Sequence, residues 1–285
     1  MLRLESRIEG LGLLKDYDVV LVDTSFFTNL RLDSSFTMMS LHKETKDIFN
    51  PCTIECFSHF LSQARDYLAD NENMLTINEV PLELRRLARV MTSKSRCLNQ
   101  SQSRSFQKYI SILGDATSCL ETRIIEESEG SGVLADILSE INSRFKTKRE
   151  SEKKEETERR IRRKTKIGRD YKTDEKLSSV AVYERTMHQK PLAIVTGDGD
   201  YSKNLAKLNG VLSFDRYPVS FDKNVTMPDV FFLHKHRLLK CSKDKMRLPF
   251  GLLVDLSPKV QKFGNIYREL TSQKTPESLP SNLSL

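Results

Sequence analysis

Short apolar runs that stop on an acid alternate along this chain with longer stretches whose apolar residues recur every three or four positions. Val19-Val20-Leu21-Val22 closes on Asp23, and Leu192-Ala193-Ile194-Val195-Thr196 closes on Gly197-Asp198-Gly199-Asp200. Continuous apolar runs of this length read as strands of a parallel sheet buried on both faces. Met74 to Ile77, Val211 to Phe214, Val230 to Leu233 and Leu252 to Leu256 are further candidate strands.

Between the runs, helical spacing predominates. Pro51 opens a helix in which Ile54, Phe57, Phe60, Leu61, Ala64, Tyr67 and Leu68 fall on one stripe. Glu79 to about Met91 forms a second helix, with Asn78 placed to cap it. Residues 92–105 are rich in Ser, Gln, Lys and Arg and read as an exposed loop. Helices follow over roughly 105–128, after Gly130-Ser131-Gly132, from Asp174 to about Met187, and from about Ser202 to Leu208. Strands alternating with helices predict an α/β fold with a central, mostly parallel sheet flanked by helices.

Composition changes this picture in three places. From Lys146 to Arg169 the chain holds twelve Lys or Arg against five Glu and almost nothing apolar. That stretch is either an extended charged helix or a linker. The residues from Thr271 onward are rich in Ser and Pro and read as a disordered tail. Five cysteines, Cys52, Cys56, Cys97, Cys119 and Cys241, form no C-x-x-C pair and read as free thiols. No apolar run reaches the roughly 20 residues a membrane span needs, and the N-terminus is too acidic and broken for a signal peptide. These features predict a soluble cytoplasmic protein, with nuclear residence also open. The formal charge of +7 favours a polyanionic partner.

The acids carry the candidate chemistry. In an open parallel sheet, ligands collect beyond the carboxyl ends of the strands. Asp23 and Asp198 each end a strand, so both are expected at that edge. Oxygen-rich carboxylate clusters suit Mg²⁺ or Mn²⁺, because a hard cation relieves the repulsion among packed anions. Such a cation can activate water and neutralise charge on a phosphodiester.

The order Val-Leu-Val-Asp23-Thr-Ser-Phe, Val80-Pro-Leu-Glu83-Leu, Thr173-Asp174 opening a helix, then Ile-Val-Thr196-Gly-Asp198-Gly-Asp200 resembles the PIN-domain nucleases. The Gly-Asp-Gly-Asp-Tyr wording is also similar to the related NYN branch. The resemblance spans roughly residues 17–95 and 170–215. It implies a parallel sheet between helices, and Asp23, Glu83, Asp174 and Asp198 as acids that bind Mg²⁺ or Mn²⁺ to cleave RNA. It implies a supporting role for Thr196 beside the metal and makes Asp200 an outer ligand. Glu79 lies one turn before Glu83 and is an alternative to it. On this reading, residues 1–95 and 170–270 form a PIN-like nuclease domain. Residues 96–169 form a helical insertion with a basic linker, and residues 271–285 the tail.

The basic run supplies a natural phosphate-backbone contact for RNA, densest at Arg159, Arg160, Arg162, Arg163 and Lys164. A solvated linker or a nuclear-targeting segment has the same composition. His234 and His236 flank Lys235 without further ligands, and a structural or surface role is expected for them. The expected activity is that of a metal-dependent endoribonuclease. The alternative is a scaffold that binds RNA on the same fold without turnover. A haloacid-dehalogenase-like phosphatase is disfavoured, because Ser25 stands where that family needs a second Asp.

Overall fold

A computed structural model describes residues 7–28, 51–95, 100–145, 172–217, 226–234 and 236–272. Five strands form one sheet in the order β2-β1-β3-β4-β5. They are β1 (Val19–Val22), β2 (Met74–Leu75), β3 (Leu192–Thr196), β4 (Asp229–His234) and β5 (Arg237–Lys240). The first four are mutually parallel, and β5 returns antiparallel to β4 as a hairpin. The helices are α1 (Thr24–Thr28), α2 (Pro51–Asp70), α3 (Glu79–Ser95), α4 (Gln100–Glu121) and α5 (Glu129–Phe145), followed by α6 (Thr173–His188), α7 (Asp200–Leu212) and α8 (Phe250–Ser272). None of these helices is long and apolar enough to cross a membrane.

The strand order fixes where a ligand can bind. From β1 the chain moves outward to β2, then crosses back over β1 to β3 and continues outward to β4. The direction of winding therefore reverses between β1 and β3. Connections on the two sides diverge there and leave a crevice at the carboxyl ends of the two strands. Val22 pairs with Val195, so Asp23 and Thr196 enter that crevice side by side. All five residues of β3 are buried, as a central parallel strand requires.

The helices of the segment read as an insertion share the sheet's core. Phe106, Tyr109 and Leu113 of α4, and Leu134, Ile137 and Ile141 of α5, belong to one buried apolar cluster with Val20, Leu21, Ile194 and Val195. The chain just after α4 also pairs with the edge of the sheet, where Thr76 and Ile124 form a parallel bridge. Thus 100–145 shares the core of the described body, and 96–99 and 146–169 are outside the described residues. The basic cluster Arg159, Arg160, Arg162, Arg163 and Lys164 falls in the second of these segments, outside the described residues.

Several local expectations need correction. Val211 and Leu212 belong to α7 rather than to a strand, and Phe214 lies in the turn beyond it. Leu252 to Leu256 opens α8, whose buried Leu252, Leu256, Val260, Phe263 and Tyr267 follow a helical period. The loop expected over 92–105 is mostly helical, since α3 reaches Ser95 and α4 starts at Gln100. The tail boundary at Thr271 falls inside α8, and residues 273–285 lie outside the described residues. His234 and His236 sit on either side of the β4–β5 turn, and His236 stacks on Phe60. Cys119 and Cys241 are free thiols as expected.

One close approach locks α7 in place. The segment after β5 crosses this helix, and the Met246 amide donates to the Ala206 carbonyl at 2.9 Å. A Cβ on Gly210 would run into the Met246 carbonyl oxygen, a backbone atom with no rotamer to yield. Gly210→Ala should therefore lower stability by about 1–3 kcal/mol despite alanine's better helix propensity. A urea titration showing an unchanged or higher midpoint would refute this account of the contact.

Candidate functional site: an acid cluster at the strand switch

Helix polarity explains why distant acids meet. In a parallel sheet each crossover helix runs back against the strands, so helices begin at the strands' carboxyl edge. Asp23 follows β1, Glu83 lies in the second turn of α3 just after β2, Asp174 is in the first turn of α6, and Asp198 lies between β3 and α7. Each acid thus belongs to a strand end or helix start at one edge. Acids in a first helical turn are also favoured by the helix dipole, which suits Asp174.

Asp23 is the most enclosed, with only 3% of its surface exposed. Its Oδ2 accepts from the Ser25 amide at 3.1 Å, from the Thr196 hydroxyl at 3.0 Å, and from the Ser25 hydroxyl. Its Oδ1 accepts from the Tyr201 hydroxyl at 2.8 Å. Ser25 and Thr196 are themselves linked, with their hydroxyl oxygens 2.9 Å apart. The Gly197 amide donates to Ser25 Oγ at 2.8 Å, and the Asp198 amide to Thr196 Oγ1 at 2.9 Å. Hydroxyls therefore stitch the end of β1 to the end of β3 around one carboxylate.

The remaining acids are arranged around it. Glu83 accepts from Thr24 Oγ1 at 2.7 Å and from the Thr173 hydroxyl. Burial pushes its carboxyl up, the two threonine donors oppose the rise, and the charges of Asp23 and Glu79 add to it. Asp198 is likewise pushed up by burial, with Asp200 and Asp23 contributing. Asp174 moves furthest, up to about 7, because of burial and then the charges of Asp23 and Asp198. Like charges sharing a poorly solvated site resist joint ionisation, which accounts for the common direction.

These contacts separate the sequence candidates. Asp23, Glu83, Asp174 and Asp198 are coupled through their charges, and Thr196 braces two of them. Glu79 instead pairs with Lys176, which also reaches Glu127 at 2.8 Å, so Glu83 is the glutamate committed to the cluster. Asp200 is exposed and paired with Lys203 at 2.7 Å. Its carboxylate acts on Asp198 through charge and does not join the enclosed group. Tyr201, Ser25, Thr24 and Thr173 were not singled out from the sequence as site residues. The available signal was adjacency, since each lies within two residues of a cluster acid or of Asp200.

The donor set suits a hard divalent cation in kind: carboxylate oxygens, crowded and mutually repelling. Among the described residues, however, no three Asp, Glu, His or Cys side chains are placed ready to hold a metal ion. Four protein donors point at Asp23, three at Oδ2 and one at Oδ1, so Oδ1 keeps an acceptor position.

The raised carboxyl of Asp174 has a definite sign in stability. The folded state holds this proton more tightly than the unfolded chain, so the contribution is present at low pH. It is lost as pH rises from the ordinary aspartate value of 3.8 through about 7. The metal-free protein should lose up to roughly 1.4 kcal/mol per pH unit within that window, and Asp174→Asn should flatten the dependence. Thermal unfolding followed from pH 4 to pH 8 measures both. A wild-type profile that rises across this window would show that Asp174 is not held protonated.

Comparison of the chain with protein-family models, with curated proteins and with solved structures finds no match, so the reading of this site rests on its own residues.

Proposed function

We propose that this protein is a PIN-like, metal-dependent ribonuclease, and that its active site is the acid cluster at the strand switch. The observation that carries this reading is the convergence of Asp23, Glu83, Asp174 and Asp198 from four separate parts of the chain. Burying four carboxylates together opposes folding unless the site gains something in return, and cation binding is the simplest such gain. Asp23, Asp174 and Asp198 would hold Mg²⁺ or Mn²⁺, with Glu83 behind them. The bound cation would supply an activated water and neutralise charge developing on the phosphate. The chain's own residues orient the acids: Thr196 and Ser25 fix Asp23, and Thr24 and Thr173 fix Glu83.

The charge balance supports RNA as the polyanion. The run at 146–169, with Arg159, Arg160, Arg162, Arg163 and Lys164 at its densest part, offers sequence-independent contacts to phosphates.

A second reading follows from the hydrogen bonds on Asp23. A carboxylate already engaged by four protein donors suits a scaffold that binds RNA without cutting it. The two readings separate in one assay on mixed RNA and DNA substrates, run with Mn²⁺, with Mg²⁺ and with EDTA. Wild type is expected to cleave RNA with either metal and to stop in EDTA. Asp23→Asn and Asp174→Asn should each lose at least about a hundredfold, since removing one transition-state-stabilising group commonly has that effect. Equal cleavage by wild type and Asp23→Asn would sink the catalytic assignment. Absence of cleavage with salt-sensitive RNA binding intact would select the scaffold. Deleting 146–169 should weaken RNA binding and reduce its salt dependence, which filter binding at several salt concentrations would measure.

A further inference from the structure

Tyr201 occupies an unusual position for a tyrosine. Its side chain is fully buried, yet its hydroxyl is directed at the acid cluster and not at solvent. It donates to Asp23 Oδ1 at 2.8 Å. The three donors from Ser25 and Thr196 all fall on the other oxygen, Oδ2. The two oxygens of Asp23 therefore have different jobs. Oδ2 is bound into the frame that joins β1 to β3. Oδ1 takes the phenol.

We propose that Tyr201 is a positioning residue that latches the acid cluster: its hydroxyl occupies the Asp23 oxygen a divalent cation would take. The proposal rests on the metal-dependent reading given above. The ring is anchored in the apolar core with Leu205, Leu208 and the sheet residues, so it cannot swing away as an exposed side chain would. Opening the latch requires only that the hydroxyl release Asp23 Oδ1 while the ring stays in place. A hydrogen bond to a charged group is among the stronger ones in proteins, so the latch opposes cation entry appreciably. It also helps the metal-free site tolerate its crowded acids, because it places one buried donor on the most enclosed of them.

The test is calorimetric titration of Mn²⁺ into wild type and Tyr201→Phe, each confirmed as folded by circular dichroism. Phenylalanine keeps the ring and removes the hydroxyl. The Phe variant should bind Mn²⁺ about tenfold tighter or more, the ratio expected when a charge-assisted hydrogen bond no longer has to be broken. Its metal-free melting temperature should be lower, and Mn²⁺ should raise it by more than in wild type. Equal or weaker Mn²⁺ binding by the Phe variant, with binding by wild type intact, overturns the latch and leaves the metal site standing. No Mn²⁺ binding by either folded protein overturns both the latch and the metal-dependent reading. If Tyr201→Phe does not fold, 3-fluorotyrosine at position 201 replaces it. Its ¹⁹F resonance should shift as Mg²⁺ is added, and a resonance that stays fixed while Mg²⁺ binds overturns the proposal.

Discussion

The pairing of β1 with β3 is the constraint on which the rest of this structure depends. These strands are neighbours in space but separated by about 170 residues of chain, and everything between them must leave and return on the correct sides. Their four-residue register sets Asp23 beside Thr196 at the crevice. It also sets the direction of every helix that starts at that edge. Had β3 paired one residue out of step, Thr196 would face the opposite side of the sheet and the hydroxyl frame around Asp23 could not form.

Electrostatics and packing oppose each other at this edge. Burial disfavours ionised carboxylates, and the acids disfavour one another, so the upward shifts of Glu83, Asp174 and Asp198 share one origin. Hydroxyls offset part of this. Ser25, Thr196, Thr24, Thr173 and Tyr201 all donate into the cluster from positions fixed by backbone elements. The opposite edge of the sheet resolves the same problem with cations. There Asp229, at the start of β4, accepts from Tyr17 at 2.6 Å and pairs with Lys240 and Lys243 at 2.9 and 2.8 Å. Those partners hold its carboxyl down at about 2 despite burial. At one edge two lysines pair with the acid, while at the other the donors to Asp23 and Glu83 are hydroxyls and one backbone amide.

The parts legible from the sequence were those with a local signal. β1 and β3 were apparent as unbroken apolar runs, and Asp23 and Asp198 followed from where those runs stop. Asp174 depended on α6 beginning at the same edge, which the order of elements implied. Choosing between Glu79 and Glu83 required knowing that Lys176 stands beside the former, a contact spanning 97 residues. Val211 and Leu252 were misread because a short apolar run looks alike in a strand and in a buried helix. In α8 the resolving signal lay further along, at Val260, Phe263 and Tyr267, where the helical period continues. Tyr201 was invisible as a site residue because its ring obeys the core pattern, and nothing local reports where a hydroxyl points.

Both outer strands of the sheet are met by other parts of the chain. Beside β2, Thr76 bridges to Ile124. Beside β5, the Glu9 amide donates to the His236 carbonyl, the Leu238 amide donates to Glu9, and Glu9 pairs with Arg237 at 2.6 Å. An open sheet normally offers its outermost peptide groups to any extended segment, which is how some domains capture peptides and how others aggregate. Here those groups are partly taken at each end by the protein's own backbone. A partner that recognises this fold is thereby directed away from strand addition and toward side chains and the crevice between β1 and β3.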